Sequence, residues 1–122
     1  MSESVPPANV RLKRAYAATS TDDGTRILVD RLWPRGVSKE RAALDGWLKD
    51  IAPTTALREW FGHDPAKWAE FQQRYRAELT THQAEVDQLR QIALAGPLTL
   101  VYAAKDTVHN DAVVLRDVLL HG

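Results

Sequence analysis

The chain predicts an α/β domain, small and single, with a short and mostly parallel central sheet flanked by helices. Two continuous apolar runs, residues 26–32 and 98–103, have the length and composition of strands covered on both faces. Between them lies a long stretch whose apolar residues recur every three or four positions, the period of helices. Strands separated by helices return in parallel. The 122 residues suffice for one core, since a domain of about this size hides roughly two thirds of its unfolded surface.

Residues 1–9 are polar and Pro-containing and read as a flexible tail, leaving residues 10–122 as the domain. Residues 10–16 alternate Val10, Leu12 and Arg14 against Arg11, Lys13 and Ala15, an edge strand. Residues 19–25 are a turn cluster in which Asp23-Gly24 supplies a hairpin-like reversal. The run from Arg26 to Leu32 follows, and Pro34 and Gly36 stop it. Ser38 is the expected N-cap of a helix carrying Leu44, Trp47, Leu48 and Ile51 on one stripe, ended by Pro53. Thr54 or Thr55 caps a short helix through Leu57, Trp60 and Phe61, with Gly62 as its breaker.

Asp64-Pro65 starts the next helix, because Pro at the first helical position gives up only an orphan donor. Unbroken to Ala95 it would run about 46 Å, too long for a small domain. A break is therefore expected near residues 80–82, with Thr80 and Gln83 as a capping box for the restart. Gly96-Pro97 ends this section, residues 98–103 form the clearest strand, and residues 113–120 close the chain as a helix.

Composition excludes several chemistries. With no cysteine there is no disulfide, thiolate nucleophile or Cys-based metal site. No His-x-x-x-His or Glu-x-x-His pair occurs, and His63 and His109 are far apart in sequence, so no metal is expected. No Gly-x-Ser-x-Gly elbow and no Gly-rich phosphate loop occurs, and no cofactor is expected. No apolar run approaches the ~18 residues of a membrane span, and residues 1–9 do not resemble a signal peptide, so a cytoplasmic location is expected.

The functional signal lies where the two strong strands end. One continues into Asp30-Arg31-Leu32-Trp33-Pro34-Arg35-Gly36, the other into Lys105-Asp106-Thr107-Val108-His109-Asn110. If the strands are parallel neighbours, both segments share the edge where α/β sheets bind ligands. Arg31, Arg35 and Lys105 suit a phosphate or carboxylate, aided by the amides at the start of the last helix. Trp33 and Asn110 complete the candidate ligand contacts, and Asp30, Asp106 and His109 are candidates for proton exchange.

Plainer roles stand beside these. Asp30 and Arg31 could serve ion pairs or loop caps, Lys105-Asp106 a solvated turn, and Trp47, Trp60 and Trp68 helix or core packing. His63-Asp64 reads as a helix cap, and His82 and His121 as surface residues.

Four ordered segments carry a resemblance: residues 30–36, then Trp47-Leu48-Lys49-Asp50-Ile51-Ala52-Pro53, then Trp60-Phe61-Gly62-His63-Asp64-Pro65, and finally residues 100–106 with His109-Asn110. Together they resemble the YeaO-like family of small bacterial proteins, within domain of unknown function 488. That resemblance supports the fold and the location of the site without implying an activity. Longer members of the broader family look distantly rhodanese-like. The likeness implies an anion cradle near Asp30 and Arg31, and places Tyr102 where such proteins carry a nucleophilic cysteine.

The sequence therefore points to a domain that binds a small anionic ligand at its strand ends. Two alternatives are a nucleic-acid-binding or regulatory module and a non-catalytic homodimer built on the Trp-rich helices. The first draws on residues 10–41, where eight Lys and Arg face four Asp and Glu, although the chain as a whole carries no net charge.

Overall fold

The computed structural model describes residues 4–121 and shows an α/β fold built on a four-stranded parallel sheet. Strands β1 (Val10–Arg14), β2 (Thr25–Leu28), β3 (Gly46–Trp47) and β4 (Leu98–Tyr102) lie in the order β1-β4-β2-β3. Helices α1 (Lys39–Ala42), α2 (Thr55–Phe61), α3 (Trp68–Leu79), α4 (Gln83–Ala95) and α5 (Asp111–His121) make up the rest, joined by short 3-10 turns. No helix among the described residues is long and apolar enough to cross a membrane.

The continuous apolar runs of β2 and β4 have the predicted cause. Their side chains alternate between two separate cores. Ile27, Val29, Leu98, Leu100 and Tyr102 join the large cluster with Phe61, Phe71, Tyr75, Leu89 and Leu115. Leu28 and Val101 point the other way, against Ala15, with Trp33, Leu44 and Trp47 packed over them. Part of the expected N-terminal tail is built into the larger body: Val5 is buried, Pro7–Asn9 form a 3-10 turn, and the Asn9 amide donates to the Ala93 carbonyl. Residues 1–3 of that tail lie outside the described residues.

Three local expectations are corrected. Asp23-Gly24 does not close a hairpin, because β4 inserts between β1 and β2. Instead Ser20 and Asp23 form a capping box around a 3-10 turn. Asp23 is buried against the Lys13 ammonium at 2.9 Å and the Arg26 guanidinium at 2.7 Å. Burial alone would raise its carboxyl, but hydrogen bonds from Lys13, the Ser20 amide and Arg26 hold it below the ordinary value.

The helix expected from Ser38 to Ile51 is the second correction. Ser38 does cap a helix, but α1 ends after one turn, with Ala43 in the left-handed region at φ 47°. The buried Arg26 side chain takes the Ala42 carbonyl, and the Arg26 backbone exchanges hydrogen bonds with Asp45, its amide donating to the carboxylate. The chain then pairs with the free edge of β2 as β3. The four stripe residues part accordingly: Leu44 and Trp47 pack on the small core, Leu48 and Ile51 on the large one.

Third, the break near residue 80 occurs as a 3-10 turn over Thr80–His82, but no capping box forms there. The Thr80 hydroxyl donates back to the Ala77 carbonyl instead.

The remaining caps follow the sequence. Thr54 accepts the Leu57 amide at the start of α2, and Gly62 ends α2 at φ 53°. Asp64 accepts the Ala66 amide ahead of α3. Gly24 marks the tightest crossing, where a Cβ would lie 2.3 Å from the Pro97 carbonyl oxygen, and its φ of 64° is itself unfavourable for a side chain. Gly24→Ala should therefore cost about 2–4 kcal/mol, read as a lower midpoint in urea unfolding with an unchanged slope.

Candidate functional site

Because β2 and β4 are parallel neighbours, with Leu28 beside Val101, the segments that follow them emerge at one edge of the sheet. They enclose a cleft of about 700 Å³. All eight residues singled out from the sequence line it: Asp30, Arg31, Trp33, Arg35, Lys105, Asp106, His109 and Asn110. Tyr16, the Ala52-Pro53 corner, Arg58 and Phe61 of α2, His63, Phe71 of α3 and Asp111 of α5 complete much of the wall.

Several of the polar residues are spent on holding the cleft open. Arg31 donates to the Pro53 and Ala52 carbonyls, both at 3.3 Å, tying the β2 segment to the corner before α2. The Trp33 indole donates to the Val37 carbonyl, and its ring meets Trp47 edge-on at 5.4 Å. Asp106 accepts the Val108 and His109 amides, each at 2.9 Å, and the His109 Nδ1 at 2.8 Å. These hydrogen bonds, the His109 amide first, bring the half-exposed Asp106 carboxyl down to about 2. Asn110 caps α5 by accepting the Val113 amide while its own amide donates to the Asp106 carbonyl.

Other side chains are uncommitted. Arg35 and Lys105 are exposed, and among the described residues neither side chain has a carboxylate or hydrogen-bond partner. The same is true of Arg58. With Arg31 they place four cationic groups on the cleft against the three carboxyls of Asp30, Asp106 and Asp111.

Two of those carboxyls meet. Asp30, one residue past Val29, accepts the Ala103 amide at 2.8 Å and is hydrogen-bonded to Asp111, the first residue of α5. Burial, more than any other influence, raises the Asp30 carboxyl, with the Asp111 and Ala103 hydrogen bonds and the charges of Arg58 and His63 opposing it. Burial and the neighbouring Asp30 together push Asp111 well above the ordinary carboxylate range. The pair therefore holds on to a proton more readily than free carboxyls do, since two neighbouring carboxylates in partly dehydrated surroundings resist ionising together. Behind the pair, the buried Tyr75 hydroxyl donates to the Ile51 carbonyl at 2.7 Å.

Asp111 escaped the sequence reading, which used only the amides at that helix start. Its carboxyl gave no signal because 81 positions separate it from Asp30 and the pairing exists only in the folded chain. Arg58 was also missed, and His63 was read as a cap. Asp64 does the capping, while His63, at φ 58°, turns its ring onto the cleft. No three His, Asp or Glu side chains converge to hold a metal ion among the described residues. Tyr102, where the rhodanese likeness would put a cysteine, is buried.

Comparison with known proteins agrees with the four ordered segments. Residues 9–122 match the family described as "Inactive DUF488-N3 subclade". The chain is 49% identical over 109 residues to the uncharacterized protein YeaO of Escherichia coli K12, covering 89% of this chain and 95% of the relative. It is 38% identical over 115 residues to the uncharacterized proteins Mb3100c of Mycobacterium bovis and Rv3073c of Mycobacterium tuberculosis, covering 94% of this chain and 97% of each. No solved structure matches it.

The carboxyl pair has a stability signature. A carboxyl whose folded value is raised favours folding fully below its unfolded value, near 3.8, and that contribution is lost as pH rises through the folded value. Asp111→Asn removes the repelling charge and keeps a hydrogen-bond donor for Asp30. At pH 8 it should raise stability by about 1 kcal/mol, or roughly 4 °C in thermal midpoint. The gain should shrink toward zero as the melts are repeated down to pH 4.

Proposed function

The chain belongs to the family described as the inactive DUF488-N3 subclade, and from that membership and the chemistry of the cleft we propose that it binds a small organic anion, bearing a phosphate or a carboxylate, without cysteine chemistry. The observation that carries this reading is the uncommitted state of Arg35, Arg58 and Lys105 on one concave surface. A protein that only needed solubility would scatter such charges over convex surface, whereas here three project around a cavity of ligand size. Four cationic groups stand on the cleft against three carboxyls, two of which are raised above the ordinary range, so positive charge is in excess there. Arg35 and Arg58 would grip the anion through paired N–H groups and Lys105 as a movable point charge.

The groups spent on structure support the same reading from the other side. Arg31, Asp106 and Asn110 fix the positions of the two segments, so the cleft is formed before a ligand arrives. Asp30 and Asp111 would act as hydrogen-bonding groups at the floor. The word "inactive" in the family description accords with binding in place of turnover.

Benzoate and phenyl phosphate serve as probes in a titration followed by amide chemical shifts. Saturable shifts should appear at residues 30–35 and 103–111. The double substitution Arg35→Ala with Lys105→Ala should weaken both probes by about 10-fold or more. Its thermal midpoint should move by no more than about 2 °C, because both side chains are exposed and unpaired. Equal affinity in parent and variant would refute the reading.

A further inference from the structure

Building on the anion-binding reading, we propose that the cleft selects a zwitterionic organic ligand, with its anionic group at Arg35 and Lys105 and a primary ammonium seated on the carboxyls of Asp30 and Asp111. The cleft is bipolar. Its uncommitted cations stand on exposed side chains, whereas the Asp30 and Asp111 carboxyls sit half-buried where the end of β2 meets the start of α5. Apolar side chains from Leu32, Pro34, Phe61 and Phe71 line the same cavity, so the body joining the two charged ends can be aliphatic or aromatic. At about 700 Å³ the space suits an organic molecule and is far larger than an inorganic anion requires.

The acceptor inventory favours an ammonium at the floor. Two carboxyl groups offer about eight lone-pair positions. The Ala103 amide takes one on Asp30 at 2.8 Å, and the contact between the two groups uses more. The remainder belong to groups that line the cavity. A single proton held by the pair neutralises one charge and fills one position. A ligand ammonium brings one positive charge with three donors and can take the place of that proton, which leaves to solvent. A divalent cation is the poorer fit, since no third carboxylate or imidazole converges on the pair among the described residues.

Matched pairs of probes test this with the intact chain: 4-(aminomethyl)benzoate against 4-methylbenzoate, and O-phosphoethanolamine against ethyl phosphate. Affinities come from chemical-shift titrations at pH 7. The amino member of each pair should bind about 10-fold tighter or better to the parent protein. In Asp111→Asn the two members of a pair should become equal within about 2-fold. Equal affinities in the parent would overturn the zwitterion proposal and leave the anion reading intact. An amino preference that persists in Asp111→Asn would also overturn it, because the ammonium would then sit elsewhere. No saturable shift with any of the four up to about 10 mM would defeat both readings. The parent comparison needs no variant, so the proposal stays exposed even if Asp111→Asn folds poorly.

Discussion

Asp30 makes the connection on which the rest of the molecule's functional edge depends. Its carboxylate accepts the Ala103 amide at 2.8 Å, just past the end of β4, and it meets Asp111 at the first residue of α5. Its backbone carbonyl accepts the Trp47 indole at 2.7 Å, which holds β3 and the small core against the same point. One residue therefore ties the ends of two central strands, an edge strand and the last helix. In a parallel sheet the strand ends carry carbonyls and amides with no further ladder partners, so a short acidic side chain placed there replaces a missing strand. Removing it would leave the Ala103 amide and the Asp111 carboxyl without their partner at once.

That arrangement divides the polar residues of the cleft into two kinds. Arg31, Trp33, Asp106 and Asn110 bond to backbone groups across loops, and their contribution is to geometry. The side chains of Arg35, Arg58 and Lys105 bond to nothing among the described residues, and the fold gains little from them, since an exposed unpaired charge contributes close to zero. A residue type says nothing about which kind it is. Arg31 and Arg35 are four positions apart with the same guanidinium, yet the first is half-buried against the Ala52-Pro53 corner and the second is exposed. Pro34 between them is buried, and Gly36, at φ 77°, turns the chain just beyond Arg35.

What the sequence revealed and what it hid have a common physical explanation. Strands β2 and β4 were legible because both faces of each are covered, which demands an unbroken apolar run. The convergence of residues 30–36 and 105–110 was legible because parallel neighbours must release their following loops at one edge. Helix α2 was legible from local chemistry, Thr54 at one end and Gly62 at the other. The segment from Ser38 to Ile51 misled because its apolar spacing fits one helical face, while the structure divides those side chains between two cores on opposite sides of the sheet. The decision lay with Arg26, whose buried side chain and backbone claim Ala42 and Asp45. Nothing local to residues 38–51 records that claim. Asp111 was hidden for the same reason, its partner being fixed by topology alone.

The two left-handed residues between α2 and α3 show how the wall of the cleft is set. Gly62 and His63 take φ values of 53° and 58° in succession, a reversal that glycine makes freely and histidine makes at a cost of order 1 kcal/mol. Local bonding offsets part of that cost: the Asp64 amide returns to the Phe61 carbonyl at 3.0 Å, and Asp64 then caps the turn into α3. The result carries an imidazole to the cavity, where its charge acts on Asp30, while Phe61 stays stacked on Phe71 at 4.3 Å in the core beneath. A tight reversal here also keeps α2 and α3 close enough for Phe61, Trp68 and Phe71 to form one aromatic wall, with Trp68 edge-on to His109 at 5.2 Å. The aromatic contacts thus run from the α2 end to the segment after β4, and they hold the far side of the cleft in register with the side that Asp30 anchors.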